Sequence, residues 1–104
     1  MRRGEVWWAK LPLPVGKRTV GLLSRSEAYG GRNAVTVAEV TSTIRGIPVE
    51  GELGPDDGLR KKCVVNLDTI VTIRKDLLIE RIAILRDEKI DQIDSAIKFA
   101  LPIR

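Results

Sequence analysis

The sequence predicts a mainly β protein with one C-terminal helix, an α+β arrangement in which a small, twisted, barrel-like sheet carries the helix. Three observations support this prediction. Short segments rich in valine, isoleucine and tryptophan alternate with glycine and proline clusters over residues 4–85. Apolar residues recur at helical spacing in residues 87–101. The length of 104 residues suits a single domain, residues 1–104, with one hydrophobic core.

The first strand is predicted over residues 4–11, an apolar run with two adjacent tryptophans that ends at two nearby prolines. Lys17 and Arg18 are expected to form a basic turn, and residues 20–24 a second strand. Residues 26–31 are predicted as a connector closed by glycines. These elements would place a guanidinium on a turn between two buried strands.

Later segments rich in β-branched and apolar residues predict the rest of the sheet. Residues 34–40 are predicted as a central third strand. A cluster of Gly, Pro and Asp at residues 54–58 predicts a turn. The other predicted strands are residues 48–53, one or two short strands within residues 63–67 and 69–73, and residues 79–85.

The helix is predicted over residues 87–101, with Asp87 as its N-cap and Pro102 as its stop. One face of this helix is apolar, formed by Ile90, Ile93, Ile97 and Leu101. The sequence therefore predicts a helix that packs on the sheet.

The composition limits the chemistry. A net charge of +4 and a pI near 9.6 favour a polyanionic partner, such as RNA, DNA or an acidic protein segment. The sequence has no histidine, which excludes Ser-His triads and histidine-pair ribonucleases and argues against a zinc hydrolase. The single cysteine, Cys63, cannot form an intramolecular disulfide and is interpreted as a small buried apolar residue. Since no apolar stretch approaches about 20 residues, we expect a cytoplasmic protein without a membrane span.

Several segments resemble those of one toxin family. Residues 3–8 resemble the opening RGEVWW of the MazF/PemK family of ribosome-independent, mRNA-cutting toxins. Residues 16–24 are similar to its G-x-R-P-V-L-V-x-S segment, with Thr19 in place of the usual proline. Further segments resemble, in order, the family's V-A-x-I-T-S/T strand, its P-x-x-V-x-L strand, its stretch ending in D-Q-I and its final helix: residues 37–43, 48–53, 58–70 and 85–101.

This resemblance implies an SH3-like, PemK-like twisted β-barrel that forms a homodimer. It also implies a type II toxin that cleaves single-stranded RNA at short sequences without a metal or other cofactor, and that binds a cognate acidic antitoxin. The matching motifs assign catalysis to Arg18 and Thr41. Hydroxyl or cationic contacts to RNA are expected from residues near those two: Lys17, Ser24, Thr43 and Arg45.

The chemistry of the two catalytic candidates fits RNA cleavage. RNA supplies its own nucleophile, the 2′-hydroxyl, so the protein must align it and stabilise charge on the phosphate. The planar guanidinium of Arg18 matches phosphate oxygens, and Thr41 can donate its hydroxyl. The products would be a 2′,3′-cyclic phosphate and a 5′-hydroxyl. An arginine is a poor proton acceptor, so the general base stays unassigned; Glu39 qualifies only if its side chain points toward Thr41.

Some residues have two interpretations. Trp7 and Trp8 could stack on bases, but adjacent strand residues face opposite sides, so at most one of them shares a surface with Arg18. Core or dimer-interface packing is favoured for at least one of the two. The basic run at residues 60–62 is interpreted as a solvated face, with phosphate contact as the alternative.

The chain also departs from the family pattern. The turn at residues 12–17 is short and lacks the acidic residue often found before its glycine, Thr19 replaces proline, and Gly21 replaces a large aliphatic residue. The alternative hypothesis is therefore a nucleic-acid-binding or antitoxin-binding module on the same fold with little or no cleavage activity.

Overall fold

The computed structural model describes residues 1–103. Six strands and two helices account for most of this range: β1 Glu5–Lys10, β2 Lys17–Leu22, α1 Ala28–Gly31, β3 Ala34–Thr41, β4 Glu50–Leu53, β5 Cys63–Arg74, β6 Leu78–Ile84 and α2 Asp87–Ala100. All the strand pairs are antiparallel, and the sheet has the order β4-β5-β3-β2-β1-β6. The predicted mainly β fold with one C-terminal helix is confirmed.

The sheet curls until its two edges share one core. Leu53 of β4 and Ala83 of β6 belong to the same buried cluster, although these strands lie at opposite ends of the strand order. Gly58, which follows β4, lies so close to β6 that an added Cβ would come within 3.1 Å of the Ala83 Cβ. Its φ of 93° also lies in the left-handed region, which favours glycine. The curled sheet is therefore closed by packing at this turn.

Two clusters of apolar side chains cover the two faces of the sheet. One contains Val6 and Leu67 and is covered by Ile93 and Ala96 of α2. The other lies on the opposite face, where Tyr29 of α1 covers a group of strand residues: Ala9, Val20, Leu22, Val35, Val37 and Leu78. Because successive strand residues face opposite sides, both faces of the central strands are buried.

The helix α2 begins one residue differently from the prediction. Arg86 occupies the N-cap position, and Asp87 lies in the first turn. There the negative charge of Asp87 interacts favourably with the positive end of the helix dipole. The prediction of Asp87 as the N-cap was wrong. Ile93 is buried and Ile90 and Ile97 are partly buried, as the helical spacing predicted, whereas Leu101 is exposed.

The basic residues predicted in a turn lie in a strand. Lys17 pairs with Lys10 and Arg18 pairs with Ala9, so β2 begins three residues earlier than the predicted start at residue 20. The turn between β1 and β2 is closed by the Leu11 amide, which donates to the Gly16 carbonyl at 3.0 Å. Backbone pairing therefore fixes the direction in which Arg18 leaves the sheet.

Strand β5 is continuous but carries a bulge. Its pairing with β3 changes register between Ala38, opposite Ile70, and Glu39, opposite Asn66. The Thr69 hydroxyl stabilises the bulge, because it accepts from the Glu39 amide at 3.1 Å and donates to the Asn66 carbonyl at 2.7 Å. This irregularity lies between the two short segments that the sequence predicted here.

Candidate nucleic-acid interface

Arg18 and Thr41 lie opposite each other at the ends of two neighbouring strands. The pairing of β2 with β3 ends at Thr19 and Val40, and each candidate lies one residue beyond that pair. In antiparallel strands such positions are cross-strand neighbours on one face of the sheet. The structure thus brings together the two residues that the family motifs selected.

The Arg18 guanidinium is exposed at the mouth of a small hollow. One of its nitrogens, Nη1, donates to the Lys17 carbonyl at 3.0 Å. Within residues 1–103 Arg18 makes no ion pair. The hollow has a volume of about 270 Å³ and is apolar apart from Arg18, Glu39 and Thr69. The remaining donors of Arg18 are therefore available to an anionic ligand.

A larger cleft of about 630 Å³ lies beside the same strand ends. Its wall includes Thr41, the ring of Trp8, and the basic residues Arg60 and Lys61. The Lys17 ammonium lies 4.4 Å from the centroid of the Trp8 ring, a cation–π distance. The cleft combines an aromatic surface with positive charge, which suits a nucleic-acid base and its phosphate.

The two adjacent tryptophans have different environments. Trp7 packs against the cluster around Tyr29, and its indole nitrogen donates to the Glu5 carboxylate at 2.9 Å. Trp8 instead lines the larger cleft. Trp7, which is partly buried, therefore follows the expectation that at least one of the pair packs in the core or at a dimer interface.

The other predicted contact residues are spread along the sheet. Thr43 and Arg45 are exposed in the loop after β3, and the Thr41 hydroxyl accepts from the Thr43 amide at 3.1 Å. The Arg45 amide donates to the Glu50 carboxylate at 3.1 Å, which ties this loop to β4. Both residues therefore lie on the chain leading directly away from Thr41.

Ser24 lies at the opposite end of β2 from Arg18. Six residues of extended chain separate the two, a span of about 20 Å. The Ser24 hydroxyl already accepts a hydrogen bond from the Thr36 amide at 2.8 Å. The structure therefore does not bring Ser24 to the Arg18 and Thr41 pair.

The opening motif builds the scaffold of the site. The Arg3 guanidinium donates to the Leu23 carbonyl at 3.0 Å and to the Asp94 carboxylate at 2.6 Å, which joins the N-terminal segment to α2. The Glu5 carboxylate is buried and lies 3.5 Å from the Arg81 guanidinium of β6. These charged residues hold β1 in place and do not face either cleft mouth.

Two residues of the cleft wall were not selected from the sequence. Arg60 and Lys61 follow the turn after β4 and were interpreted as a solvated face, yet both line the larger cleft. Only the position of this turn against β6 reveals that placement. Cys63, also in the wall, is buried as predicted, and burial raises the pKa of its thiol, which makes it a poor nucleophile.

Within residues 1–103, no group of three or more His, Cys, Asp or Glu side chains is arranged to hold a metal ion. In the same range, neither helix has the length and apolar character needed to cross a membrane.

A curled antiparallel sheet with arginine, lysine and tryptophan around a cleft at its strand ends is typical of a small basic protein that binds nucleic acid. The family described as PemK-like, MazF-like toxin of type II toxin–antitoxin system matches residues 2–101. The chain therefore belongs to the PemK/MazF toxin family, and the resemblance found in its motifs is confirmed.

Individual relatives agree with this assignment. A Mycobacterium tuberculosis protein named probable endoribonuclease MazF5 is 35% identical over 100 residues, which cover 95% of this chain and 91% of the relative. The structure of the Mycobacterium tuberculosis toxin MazF-mt6 has a TM-score of 0.88 at 28% identity, covering 96% of this chain and 98% of that one. An endoribonuclease from a mycobacterial species, solved in complex with its cognate antitoxin, also gives 0.88, at 27% identity, with coverage of 100% and 97%.

Proposed function

We propose that this toxin is an endoribonuclease that cuts single-stranded RNA at a short sequence, with the 2′-hydroxyl of the RNA as nucleophile. The observation that carries this proposal is the cross-strand placement of Arg18 and Thr41 beside a basic, aromatic cleft. Relatives named endoribonucleases support it. The substrate would be met in the cytoplasm, where mRNA is translated.

In this proposal each residue has a separate task. Arg18 binds two oxygens of the scissile phosphate through its planar fork and stabilises the charge that grows on them during attack. Thr41 donates its hydroxyl to a neighbouring oxygen and helps to align the 2′-hydroxyl with phosphorus. Trp8 pairs with Thr19 and so faces away from Arg18, and its ring offers a stacking surface to a base further along the strand. Lys17, Arg60 and the loop around Arg45 bind flanking phosphates. The products carry a 2′,3′-cyclic phosphate and a 5′-hydroxyl, and no metal takes part.

Two different surfaces of the chain support two protein partners. A second copy of the chain is one partner, because Ile79 and Ile84 of the outer strand β6 are more than half exposed, at 51% and 61%. An acidic antitoxin segment with apolar anchors is the other, and the larger cleft offers it both lysine and apolar wall residues. A relative solved with its cognate antitoxin supports this proposal.

The test is cleavage of a long, weakly structured RNA by the purified protein in excess chelator, with mapping of the new 5′ ends and end groups. Arg18→Ala is compared with Arg32→Ala, which removes the same charge from an exposed residue before β3. We expect discrete cuts with 5′-hydroxyl and cyclic phosphate ends from the wild type and Arg32→Ala. Loss of one catalytic contact of this kind lowers the rate by about 10²–10³-fold, so Arg18→Ala should be nearly inactive.

A different outcome would favour the alternative. Thr19, at the position where proline is usual in the family, lies directly beside Arg18 and lines the larger cleft. If several RNAs stay intact while binding weakens steeply with salt, the chain is a nucleic-acid-binding module and the proposed activity is refuted. Cleavage that stops on addition of chelator would refute the metal-free step alone.

A further inference from the structure

We infer that Glu39 is the general base of this reaction, accepting the proton of the attacking 2′-hydroxyl. The inference rests on the proposed function and supplies the group that it lacks, since neither an arginine nor a threonine side chain accepts a proton readily near neutral pH. Three features of the structure support it: the face on which Glu39 lies, the anchoring of its backbone, and its freedom from competing partners.

Glu39 lies on the same face of the sheet as both catalytic candidates. Glu39 and Thr41 are two residues apart in β3, and alternate strand residues share a face. Glu39 pairs with Val20 of β2, so Arg18 is its diagonal neighbour, about 7–8 Å away. Arg18 and Glu39 also line the same hollow of about 270 Å³. The strand register thus places Glu39 on the same face of the sheet as Thr41, which its role as base requires.

The bulge in β5 fixes the backbone of Glu39. Its amide donates to the Thr69 hydroxyl at 3.1 Å, at the point where β3 changes register against β5. Bulges are a common means of redirecting a side chain next to an active site. The carboxylate is therefore presented from a rigid strand.

The carboxylate itself has no competing partner within residues 1–103. The carboxylate forms no ion pair there, and Glu39 takes part in the side-chain hydrogen bonds of this range only through its amide, which donates to Thr69. Arg18, from β2, is the only other charged residue that lines the hollow. The lining residues contributed by β5 are uncharged: Thr69, Ile70, Val71 and Ile73. The oxygens of Glu39 can consequently accept a proton from a bound nucleotide.

The proposed step balances as follows. The 2′-O–H bond breaks, its proton passes to a Glu39 oxygen, and the 2′-oxygen forms a bond with phosphorus. The bond between phosphorus and the 5′-oxygen then breaks, its electron pair stays on that oxygen, and water supplies the proton that completes the 5′-hydroxyl. Glu39 afterwards returns its proton to the solvent, and Arg18 stabilises the phosphoryl oxygens throughout.

The test compares Glu39→Gln with Glu52→Gln in single-turnover cleavage of a synthetic RNA that contains the site cut by the wild type. Both variants raise the net charge by one, and Glu52 is an exposed residue of the same sheet outside both clefts. We expect Glu39→Gln to lower the rate by about 10²–10⁴-fold and to lose the fall in rate at acid pH that protonation of the base causes. RNA affinity should match that of Glu52→Gln. Added formate should restore part of the activity of Glu39→Ala, because it replaces the missing carboxylate.

Other outcomes overturn the inference in recognisable ways. A rate for Glu39→Gln within about threefold of Glu52→Gln means that Glu39 does not act in the step. A slow Glu39→Gln that keeps the fall at acid pH, together with a Glu39→Ala that formate does not rescue, assigns Glu39 a structural role only. A wild type that does not cut any RNA refutes the proposed function itself, whereas an active wild type beside an unaffected Glu39→Gln refutes only the base. Urea unfolding of each variant shows whether a slow protein is folded.

Discussion

Replacement of Asp57 should destabilise the turn that supplies the basic wall of the larger cleft. This carboxylate is buried, with a side-chain exposure of 3%. Its Oδ2 accepts from the Gly54 amide at 2.9 Å, which caps the short 3₁₀ turn Pro55–Asp57. Its oxygens also lie 3.6 Å from the Arg86 guanidinium and 3.9 Å from the Lys89 ammonium. One side chain thus holds the turn after β4 against the start of α2.

The loss of stability expected for Asp57→Ala follows from these contacts. An amide left without its acceptor costs about 1–2 kcal/mol. Each of the two cations adds less than about 1 kcal/mol, because Arg86 is largely exposed and both distances are long. We therefore expect Asp57→Ala to lower the free energy of unfolding by about 2–3 kcal/mol. Asp57→Asn keeps an oxygen for the Gly54 amide and should lose only about 1 kcal/mol.

The assay is urea unfolding followed by tryptophan fluorescence, with Asp56→Ala as the matched control because Asp56 is exposed in the same turn. The control should stay within about 0.5 kcal/mol of the wild type. Cleavage by Asp57→Ala should also weaken under conditions where it is folded, since Arg60 and Lys61 follow this turn. Equal stability of Asp57→Ala and Asp57→Asn would show that the amide hydrogen bond contributes little and would refute the calculation.

Three further substitutions probe other parts of the fold, each by urea unfolding. Leu67→Ala should lower the free energy of unfolding by about 2–5 kcal/mol, because Leu67 is 1% exposed in the cluster under α2 and its removal leaves a cavity. A loss below about 1 kcal/mol would show that the neighbouring side chains collapse into the cavity. Gly58→Ala should lower the free energy of unfolding by about 1–2 kcal/mol because of the positive φ, and by more if the new Cβ cannot move away from Ala83. An unchanged urea midpoint would contradict both effects. Burial raises the pKa of Tyr29 from 10.0 to about 12, so the folded state keeps a proton that the unfolded state has lost, and stability should fall by up to about 2–3 kcal/mol as the pH rises from 10 to 12. Tyr29→Phe should not show this alkaline loss, and an equal loss in both proteins would assign it to other groups.

The strands and the helix were predictable because their signals are local. The alternation of apolar residues predicts β3, and their helical spacing predicts α2, without knowledge of what either element packs against. The start of β2 was missed because Lys17 and Arg18 are polar, and the strand there is held by pairing with β1, which local preference does not contain. The sequence did not decide whether β5 is one strand or two, for the same reason. Only the pairing with β3 shows that the irregular middle of β5 is a bulge.

The candidate site was predictable only in part. The motifs selected Arg18 and Thr41, and the strand register places them together. Ser24 lies on the same strand as Arg18, yet an extended chain carries it to the other end of the sheet. Arg60 and Lys61 reach the cleft because the turn after β4 packs against β6, a contact between segments distant in sequence.

The position of β1 has a consequence for synthesis of the protein on the ribosome. β1 precedes the other five strands of the sheet along the chain, but it pairs on one side with β6, and Arg3 binds Asp94 of α2. Contacts of such large sequence separation form late in folding. Nascent chains that have not yet delivered β6 and α2 leave one edge of β1 unpaired and half of the core uncovered. Completion of the core therefore waits until translation has passed Asp94, and a chain that ends upstream of that point lacks the partner of Arg3 and part of the cover that α2 gives the core cluster.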